Sequence, residues 1–170
     1  SGLGAGNLAI IFARPEAGKT AFWVSLVGGR NGFAEQGAIV HAFINEEPAV
    51  RTQMRIINCC TEMTNVQIAE NLEEAHSKWE KIKNNITLID TIDWTLDDID
   101  SHCEKYKPDI IVIDQLDMIG IGGTFSRGDE KLRAIYSGAR EISKRRQCCV
   151  IAISQASADA HNRSSISFDM

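Results

Sequence analysis

The sequence predicts an α/β fold, a doubly wound and mainly parallel sheet flanked by helices. Five short runs, rich in Ile and Val and apolar almost throughout, alternate with longer amphipathic segments. Continuous apolar runs are typical of parallel strands that helices cover on both faces. A β-α-β alternation with short connections favours right-handed crossovers and an open sheet.

The order of the elements follows from these runs. The predicted strands are the apolar runs 8–13, 38–44, 86–90, 109–114 and 149–154. The predicted helices are the amphipathic segments 19–30, 48–62, 72–84, 95–106 and 129–146. The last helix has the clearest pattern, because Leu132, Ile135, Ala139 and Ile142 form one apolar stripe. Pro108 prevents extension of the fourth helix.

The composition favours a soluble protein without a membrane partner. The chain has 170 residues, a formal charge of −5 and 44% apolar residues. No apolar run reaches the roughly 20 residues of a membrane span, and the N-terminus lacks the basic start of a signal peptide. The five cysteines show neither CxxC nor zinc-site spacing. We therefore expect reduced, mostly buried thiols and a cytoplasmic location.

The segment ARPEAGKT, residues 13–20, fits the P-loop pattern between a predicted strand and a predicted helix, with alanine in place of the first glycine. Backbone N–H groups and the helix N-terminus would together bind phosphate there. Gly18 allows close approach of a phosphate, Lys19 would reach the β and γ phosphates, and the Thr20 hydroxyl would coordinate Mg²⁺. The predicted ligands are ATP or another nucleoside triphosphate, and Mg²⁺. The predicted nucleotide-binding residues are Ala13, Arg14, Pro15, Glu16, Ala17, Gly18, Lys19, Thr20 and Ala21.

Three later strand ends would complete a hydrolysis site. Asp114 ends the run IIVID, where a buried carboxylate is costly unless it meets a hydrated metal. Glu46 or Glu47, in INEEP, would orient or deprotonate the attacking water. Gln155, one step beyond the fifth apolar run, would lie near the γ-phosphate. The alternatives are that Asp114 caps a loop, that both glutamates cap the next helix, and that Gln155 is a turn residue.

Together these segments resemble a known family. ARPEAGKT, the glutamate of INEEP, IIVIDQLDMI and AISQ are similar to segments of the RecA-like P-loop NTPase motor domain of DnaB-type hexameric replicative DNA helicases. That group includes bacterial and phage helicases and phage primase-helicases, and the resemblance runs from about Leu8 to Gln155. It implies that Lys19 and Thr20 bind phosphate and Mg²⁺, that Asp114 holds the metal through water, that Glu46 activates water, and that Gln155 couples the γ-phosphate to DNA.

The resemblance also implies partners, which are single-stranded DNA, further copies of the protein in a hexameric ring, and a primase domain or protein. Segment 120–130 matches the first DNA-binding loop of the family, and 156–170 matches the start of the second. The candidate DNA-binding cations are Arg127, Lys131, Arg133 and Arg163. We expect residues 1–170 to be a RecA-like ATPase domain truncated within the second loop. Without the family's arginine finger, such a fragment would bind nucleotide and hydrolyse it poorly.

Two alternatives share the same core. A recombinase of the RecA or RadA type would bind DNA in filaments without unwinding it. An ATP-regulated oligomerising sensor would couple nucleotide binding to assembly. DNA-stimulated ATP turnover distinguishes a helicase from a sensor, whose turnover should ignore DNA.

Overall fold

The computed structural model describes residues 2–125 and 127–155. Its five strands form one sheet of order β1-β5-β4-β2-β3, in which every pairing is parallel. The predicted fold class is therefore confirmed. The strands are β1 Leu8–Ala13, β2 Val40–Ile44, β3 Ile86–Asp90, β4 Ile110–Asp114 and β5 Cys149–Gln155.

The helices lie in the predicted order, with one addition. They are α1 Lys19–Gly28, α2 Ala49–Thr61, α3 Asn65–Glu70, α4 Leu72–Glu80, α5 Leu96–Tyr106 and α6 Gly128–Arg146. Helix α3 was not predicted, although Thr64 and Gln67 form a capping box at its start. The prediction of one helix over 72–84 was wrong at its end, where the 3₁₀ turn Lys83–Asn85 replaces the last helical turn. No helix in the described ranges is both long and apolar enough to cross a membrane.

Helices cover both faces of the sheet, because neighbouring residues of a strand point to opposite sides. One core contains Trp23 and Val27 of α1 and Ile56 of α2. The opposite core contains Ile99 of α5 and Ile135 of α6. The three central strands contribute to both cores, so their continuous apolar runs have the predicted origin.

Close helix packing fixes α1 against α2. A Cβ atom added at Gly28 would lie 2.5 Å from Cγ2 of Ile56. A larger residue at position 28 would therefore push the two helices apart. This contact holds the helix that follows the loop 13–20 in a defined position above the sheet.

The five cysteines are free, as predicted. Cys103, Cys148 and Cys149 are buried, while Cys59 and Cys60 are half-buried. Burial raises the pKa of Cys60 to about 11, so this thiol keeps its proton at neutral pH. The described cysteines therefore behave mainly as small apolar side chains.

Candidate active site

The carboxyl ends of the strands meet at one edge of the sheet. Ala13, at the end of β1, pairs with Gln155, at the end of β5. Ile44, which ends β2, pairs with Asp114, which ends β4. The loop 13–20 and the predicted acidic residues therefore enter the same crevice.

The loop 13–20, which leads into α1, contains two residues with a left-handed backbone conformation. Gly18 is the N-cap of α1 and has a φ of 81°, in the left-handed region. A Cβ at this position would meet no atom within 4 Å, so the conformation alone calls for glycine. Glu16 also has a positive φ of 60°. The loop is closed by a hydrogen bond of 3.2 Å from the Ala17 N–H to the Arg14 carbonyl.

Lys19 and Thr20 form the first turn of α1, where the helix dipole adds partial positive charge. The Lys19 Nζ donates to the Arg14 carbonyl oxygen at 3.2 Å. The residue is only 7% exposed, so its ammonium group is held against the loop and largely away from solvent. An anion bound by the loop would therefore meet the lysine charge at short range and poorly screened by water.

The Asp114 carboxylate is fully buried and has one direct donor. Trp23, in the second turn of α1, donates from Nε1 to Oδ2 of Asp114 at 3.1 Å. The other oxygen, Oδ1, is buried and has no hydrogen-bond partner within the described part of the chain. Such an orphaned oxygen is costly, and it can accept from a ligand or from metal-bound water.

Burial raises the pKa of Asp114, and the nearby charges of Glu46 and Glu47 act in the same direction. The Trp23 hydrogen bond and the Lys19 charge oppose this rise. The site thus holds Lys19, Glu46, Glu47 and Asp114 within electrostatic reach of one another. A divalent cation would relieve the excess of negative charge, so these residues fit Mg²⁺. In the described ranges, no cluster of three or more His, Cys, Asp or Glu could hold a metal by itself.

The two glutamates after β2 differ in their contacts. Glu47 accepts from Thr52 Oγ1 at 3.3 Å and from Arg55 Nη2 at 3.2 Å. These bonds hold Glu47 against α2, with its side chain 16% exposed. Glu46 is exposed, and it affects the pKa of Asp114 more than Glu47 does. Glu47 is therefore attached to α2 by hydrogen bonds, whereas Glu46 is exposed and acts on Asp114 through its charge.

Gln155 is the last residue of β5 rather than one step beyond it. Its backbone N–H donates to Oδ2 of Asp117 at 3.0 Å. Asp117 lies in the 3₁₀ turn Leu116–Met118, is itself half-buried, and also accepts hydrogen bonds from Tyr136 and Ser154. The end of β5 is thus tied to the segment that follows β4.

The predicted DNA-binding cations within the described residues lie at the start of α6. Arg127 is the N-cap of α6, and its Nε lies 3.0 Å from Oδ1 of Asp129. Lys131 and Arg133 are exposed on the first turns of α6. Arg163 lies outside the described residues. The structure therefore brings three of these four cations to one end of one helix.

Sequence reasoning missed Trp23, Asn45 and Asp117. Asn45 directly follows β2, and its Nδ2 donates to the Gln115 carbonyl at 3.1 Å. Its Oδ1 is buried and, in the described part of the chain, unpartnered. A polar residue directly after an apolar run was a usable signal for Asn45. Trp23 had no such signal, because its partner Asp114 lies 91 residues away.

A parallel sheet with a P-loop between its first strand and first helix defines a P-loop NTPase domain. The particular family follows from the whole sequence. The chain belongs to the family described as DnaB-like helicase C terminal domain, whose match covers residues 1–167. The family expected from the four sequence segments is therefore confirmed.

Two relatives agree with this family, and a solved structure agrees with the fold. The Replicative DNA helicase DnaB of Haemophilus influenzae is 26% identical over 179 residues, covering 96% of this chain and 37% of that protein. The DnaB of Geobacillus stearothermophilus is 27% identical over 176 residues and 38% of its length is covered. A solved DnaB-like replicative helicase, studied with its interactions with primase, superposes with a TM-score of 0.84 at 21% identity, covering 96% of this chain and 42% of that one. The chain thus spans well under half the length of these relatives.

Proposed function

We propose that residues 1–170 form the ATP-hydrolysing motor domain of a replicative DNA helicase, which translocates on single-stranded DNA as a hexameric ring. The single observation that carries this proposal is the buried, unpartnered Oδ1 of Asp114, close to Lys19 and Glu46 at the P-loop crevice. The DnaB relatives support the helicase class over the recombinase and sensor alternatives. In a bacterial cell, this function is cytoplasmic.

Residues 13–21 would bind the nucleotide phosphates. The N–H groups of the loop and the start of α1 would face one anion, and Lys19 would neutralise its charge. Binding would draw the Lys19 ammonium from the Arg14 carbonyl to the phosphate. Because the loop already bends at Gly18, little backbone entropy is lost on binding.

Thr20 and Asp114 would hold Mg²⁺, Thr20 through its hydroxyl and Asp114 through water. When bound, Mg²⁺ would neutralise charge on the phosphates as the terminal phosphoryl group leaves. Trp23 fixes the Asp114 carboxylate by donating to Oδ2, which leaves Oδ1 free to accept from the water shell of the metal. The indole therefore holds the carboxylate in one rotamer.

Glu46 would orient the attacking water and accept its proton. The hydrogen bonds from Thr52 and Arg55 occupy Glu47, which supports Glu46 as the base. Gln155 would contact the γ-phosphate and transmit its loss to the DNA-binding segments. Arg127, Lys131, Arg133 and Arg163 would contact the DNA backbone, whose recognition needs charge and no base readout. A primase would be a further partner, because the solved DnaB-like replicative helicase was studied with its interactions with primase.

The main test is ATP turnover by the natural full-length protein with and without single-stranded DNA. We expect DNA to raise turnover and Lys19→Ala to abolish it. Lys105→Ala is the matched control, because Lys105 is an exposed lysine on α5. Turnover that ignores DNA would contradict the helicase proposal and favour a sensor.

A second test separates the two glutamates. We expect Glu46→Gln to bind ATP and leave it uncleaved, while Glu47→Gln still cleaves ATP. Filter binding of labelled ATP and product analysis measure both steps. Normal cleavage by Glu46→Gln with loss of cleavage in Glu47→Gln would reverse the assignment of the base.

A further inference from the structure

Three side chains form a cluster beside the P-loop crevice, and the proposed hydrolysis reaction does not use them. Tyr136 Oη donates to Oδ1 of Asp117 at 3.0 Å, and Ser154 Oγ donates to Oδ2 of Asp117 at 2.6 Å. Tyr136 Oη and Ser154 Oγ are themselves 2.7 Å apart. We call Asp117, Tyr136 and Ser154 the strand-end cluster. Its three oxygen-bearing side chains come from three different elements.

The strand-end cluster joins one helix to the ends of three neighbouring strands. Tyr136 lies on α6, Ser154 on β5, and Asp117 in the turn after β4. The Tyr136 ring also packs on Phe12 of β1, with 6.0 Å between ring centroids. Phe12 directly precedes the loop 13–20. Tyr136 therefore contacts the strand of the P-loop as well as the groups that hold the end of β5.

The position of Asp117 depends on a specific turn. Gln115 has a φ of 65°, in the left-handed region, and it reverses the chain directly after Asp114. Asn45, after β2, donates to the Gln115 carbonyl at 3.1 Å and holds the turn from the other side. The Asp117 carboxylate thereby faces β5, where it also accepts the Gln155 N–H at 3.0 Å. One carboxylate thus fixes the backbone at Gln155.

The hydroxyl protons of the cluster have more than one arrangement. Burial, with the Asp117 charge adding to it, raises the pKa of Tyr136 to about 12, so its hydroxyl keeps its proton at neutral pH. Tyr136 and Ser154 each carry one hydroxyl proton. Three oxygen–oxygen contacts lie within hydrogen-bond distance, so the two protons can occupy only two of them at a time. A shift of the β5 end would change which contacts are satisfied. A network of this kind can connect two sites when it has discrete arrangements.

Helix α6 contains both Tyr136 of the strand-end cluster and two of the candidate DNA-binding cations. Tyr136 follows Arg133 by three residues and Lys131 by five, about 4.5 Å and 7.5 Å along the helix axis. Both cations are exposed. A displacement at Tyr136 would therefore move this end of α6 as a rigid body.

We propose that Asp117 and Tyr136 are positioning residues that tie Gln155 to α6, so that nucleotide state and DNA affinity change together. This inference rests on the proposed function, because it assigns the path between the proposed γ-phosphate contact and the proposed DNA contacts. Neither residue touches the reacting atoms. Their removal should lower the coupling between the two ligands rather than the affinity for either ligand alone.

The experiment measures the affinity of the full-length protein for fluorescent single-stranded oligonucleotide with ADP and with a non-hydrolysable ATP analogue. The ratio of the two dissociation constants is the coupling factor, which is typically about 5- to 150-fold for coupled sites. We expect Tyr136→Phe and Asp117→Asn each to reduce this factor by about fivefold or more. The double variant should lose no more than the stronger single variant, because both residues act in one network.

Tyr106→Phe is the matched control, since Tyr106 is the other tyrosine of the chain and is 51% exposed on α5. It should keep the wild-type factor. Tyr136→Phe retains the ring that packs on Phe12, so it tests the hydroxyl alone even if Asp117→Asn folds poorly. A general loss of stability would weaken DNA binding equally with both nucleotides and leave the factor unchanged.

Two results would overturn the inference, and they differ in what else they affect. If the wild type has a coupling factor well above one and Tyr136→Phe keeps it, the strand-end cluster plays no part in coupling while the helicase proposal stands. If the wild-type protein itself binds DNA equally with both nucleotides, the proposed function and this inference both fail.

Discussion

The half-buried Asp100 and the buried Asp114 differ in the charges and hydrogen-bond donors that surround them. Asp100, on α5, accepts from Arg146 Nε at 2.8 Å and from Arg145 Nη1 at 3.0 Å, both on α6. The hydrogen bonds from Arg146 are the main cause that holds the pKa of Asp100 below its usual value. Asp114 has a single donor, the Trp23 indole, and burial raises its pKa.

The difference shows how the same residue type can serve the fold or a ligand. The charge of Asp100 is matched by arginines of the neighbouring helix, so it fastens α5 to α6. The charge of Asp114 has no such match, and one of its oxygens has no partner within the described ranges. Folding therefore gains from Asp100, whereas the Trp23 hydrogen bond and the Lys19 charge offset the burial of Asp114 only in part, and a bound ligand could offset the rest.

The largest expected effect is at Asp114. Asp114→Asn keeps the shape and an oxygen that can accept from Trp23, and it removes the charge that we propose faces Mg²⁺. We expect Mg²⁺-dependent ATP turnover by the full-length protein to fall by about 100-fold or more. The melting temperature without nucleotide should change by less than about 3 °C, because the neutral side chain suits burial. A variant that keeps its turnover would remove Asp114 from the metal site.

The next effect is at Trp23. Trp23→Phe preserves most of the packing and removes the donor to Asp114 Oδ2. We expect the Mg²⁺ concentration for half-maximal turnover to rise about tenfold, as for other residues that orient a metal-binding group. Trp79→Phe is the control, because Trp79 packs against the same core away from Asp114. Equal Mg²⁺ dependence in both variants would show that the indole has no orienting role.

At Asp100 the expected effect is on stability alone. Asp100→Asn removes the charge that two arginines of α6 contact, and we expect the melting temperature to fall by roughly 3–6 °C. The affinity for nucleotide should be unchanged, as measured by titration with a fluorescent ADP analogue. A loss of nucleotide affinity without a loss of stability would reverse the contrast between the two aspartates.

The smallest effect concerns pH and a histidine pair on the second face of the sheet. His41 Nδ1 and His102 Nε2 are 2.8 Å apart, and the rings of Phe43, Trp94 and Tyr106 surround them. Burial lowers the pKa of both histidines from 6.5. The nearby charge of His102 lowers the pKa of His41 further, and the charge of Lys105 lowers the pKa of His102 further.

Because the folded pKa values are lower, the unfolded chain binds more protons once the pH falls below about 6.5. The stability that the neutral pair contributes is complete above that pH and is lost as the pH falls toward the lowered values. We expect the melting temperature to fall between pH 7.5 and pH 5.5, and to fall less in His102→Gln. His76→Gln, at an exposed histidine beside Glu80, should retain the wild-type slope. An unchanged slope in His102→Gln would exclude the pair as its source.

Much of the fold could be predicted from local patterns. The strands β2, β4 and β5 are buried on both faces, so their apolar runs identified them as strands of a parallel sheet. The same runs gave their first and last residues to within two positions. Helix α3 was missed because it is short and has no buried residue, so it lacks an apolar stripe. The end of α4 was misplaced because the 3₁₀ turn Lys83–Asn85 continues the polar character of the helix.

By itself, the sequence determined the fold class, the P-loop and the strand ends that carry Glu46, Asp114 and Gln155, because each depends on residues that are neighbours in the chain. Only the tertiary structure decided which groups meet those strand ends. Trp23 reaches Asp114, and Tyr136 and Ser154 reach Asp117, through crossovers that bring together residues up to 91 positions apart. Hydrogen bonds of this kind depend on the order of strands in the sheet, and no periodicity in a single segment encodes that order.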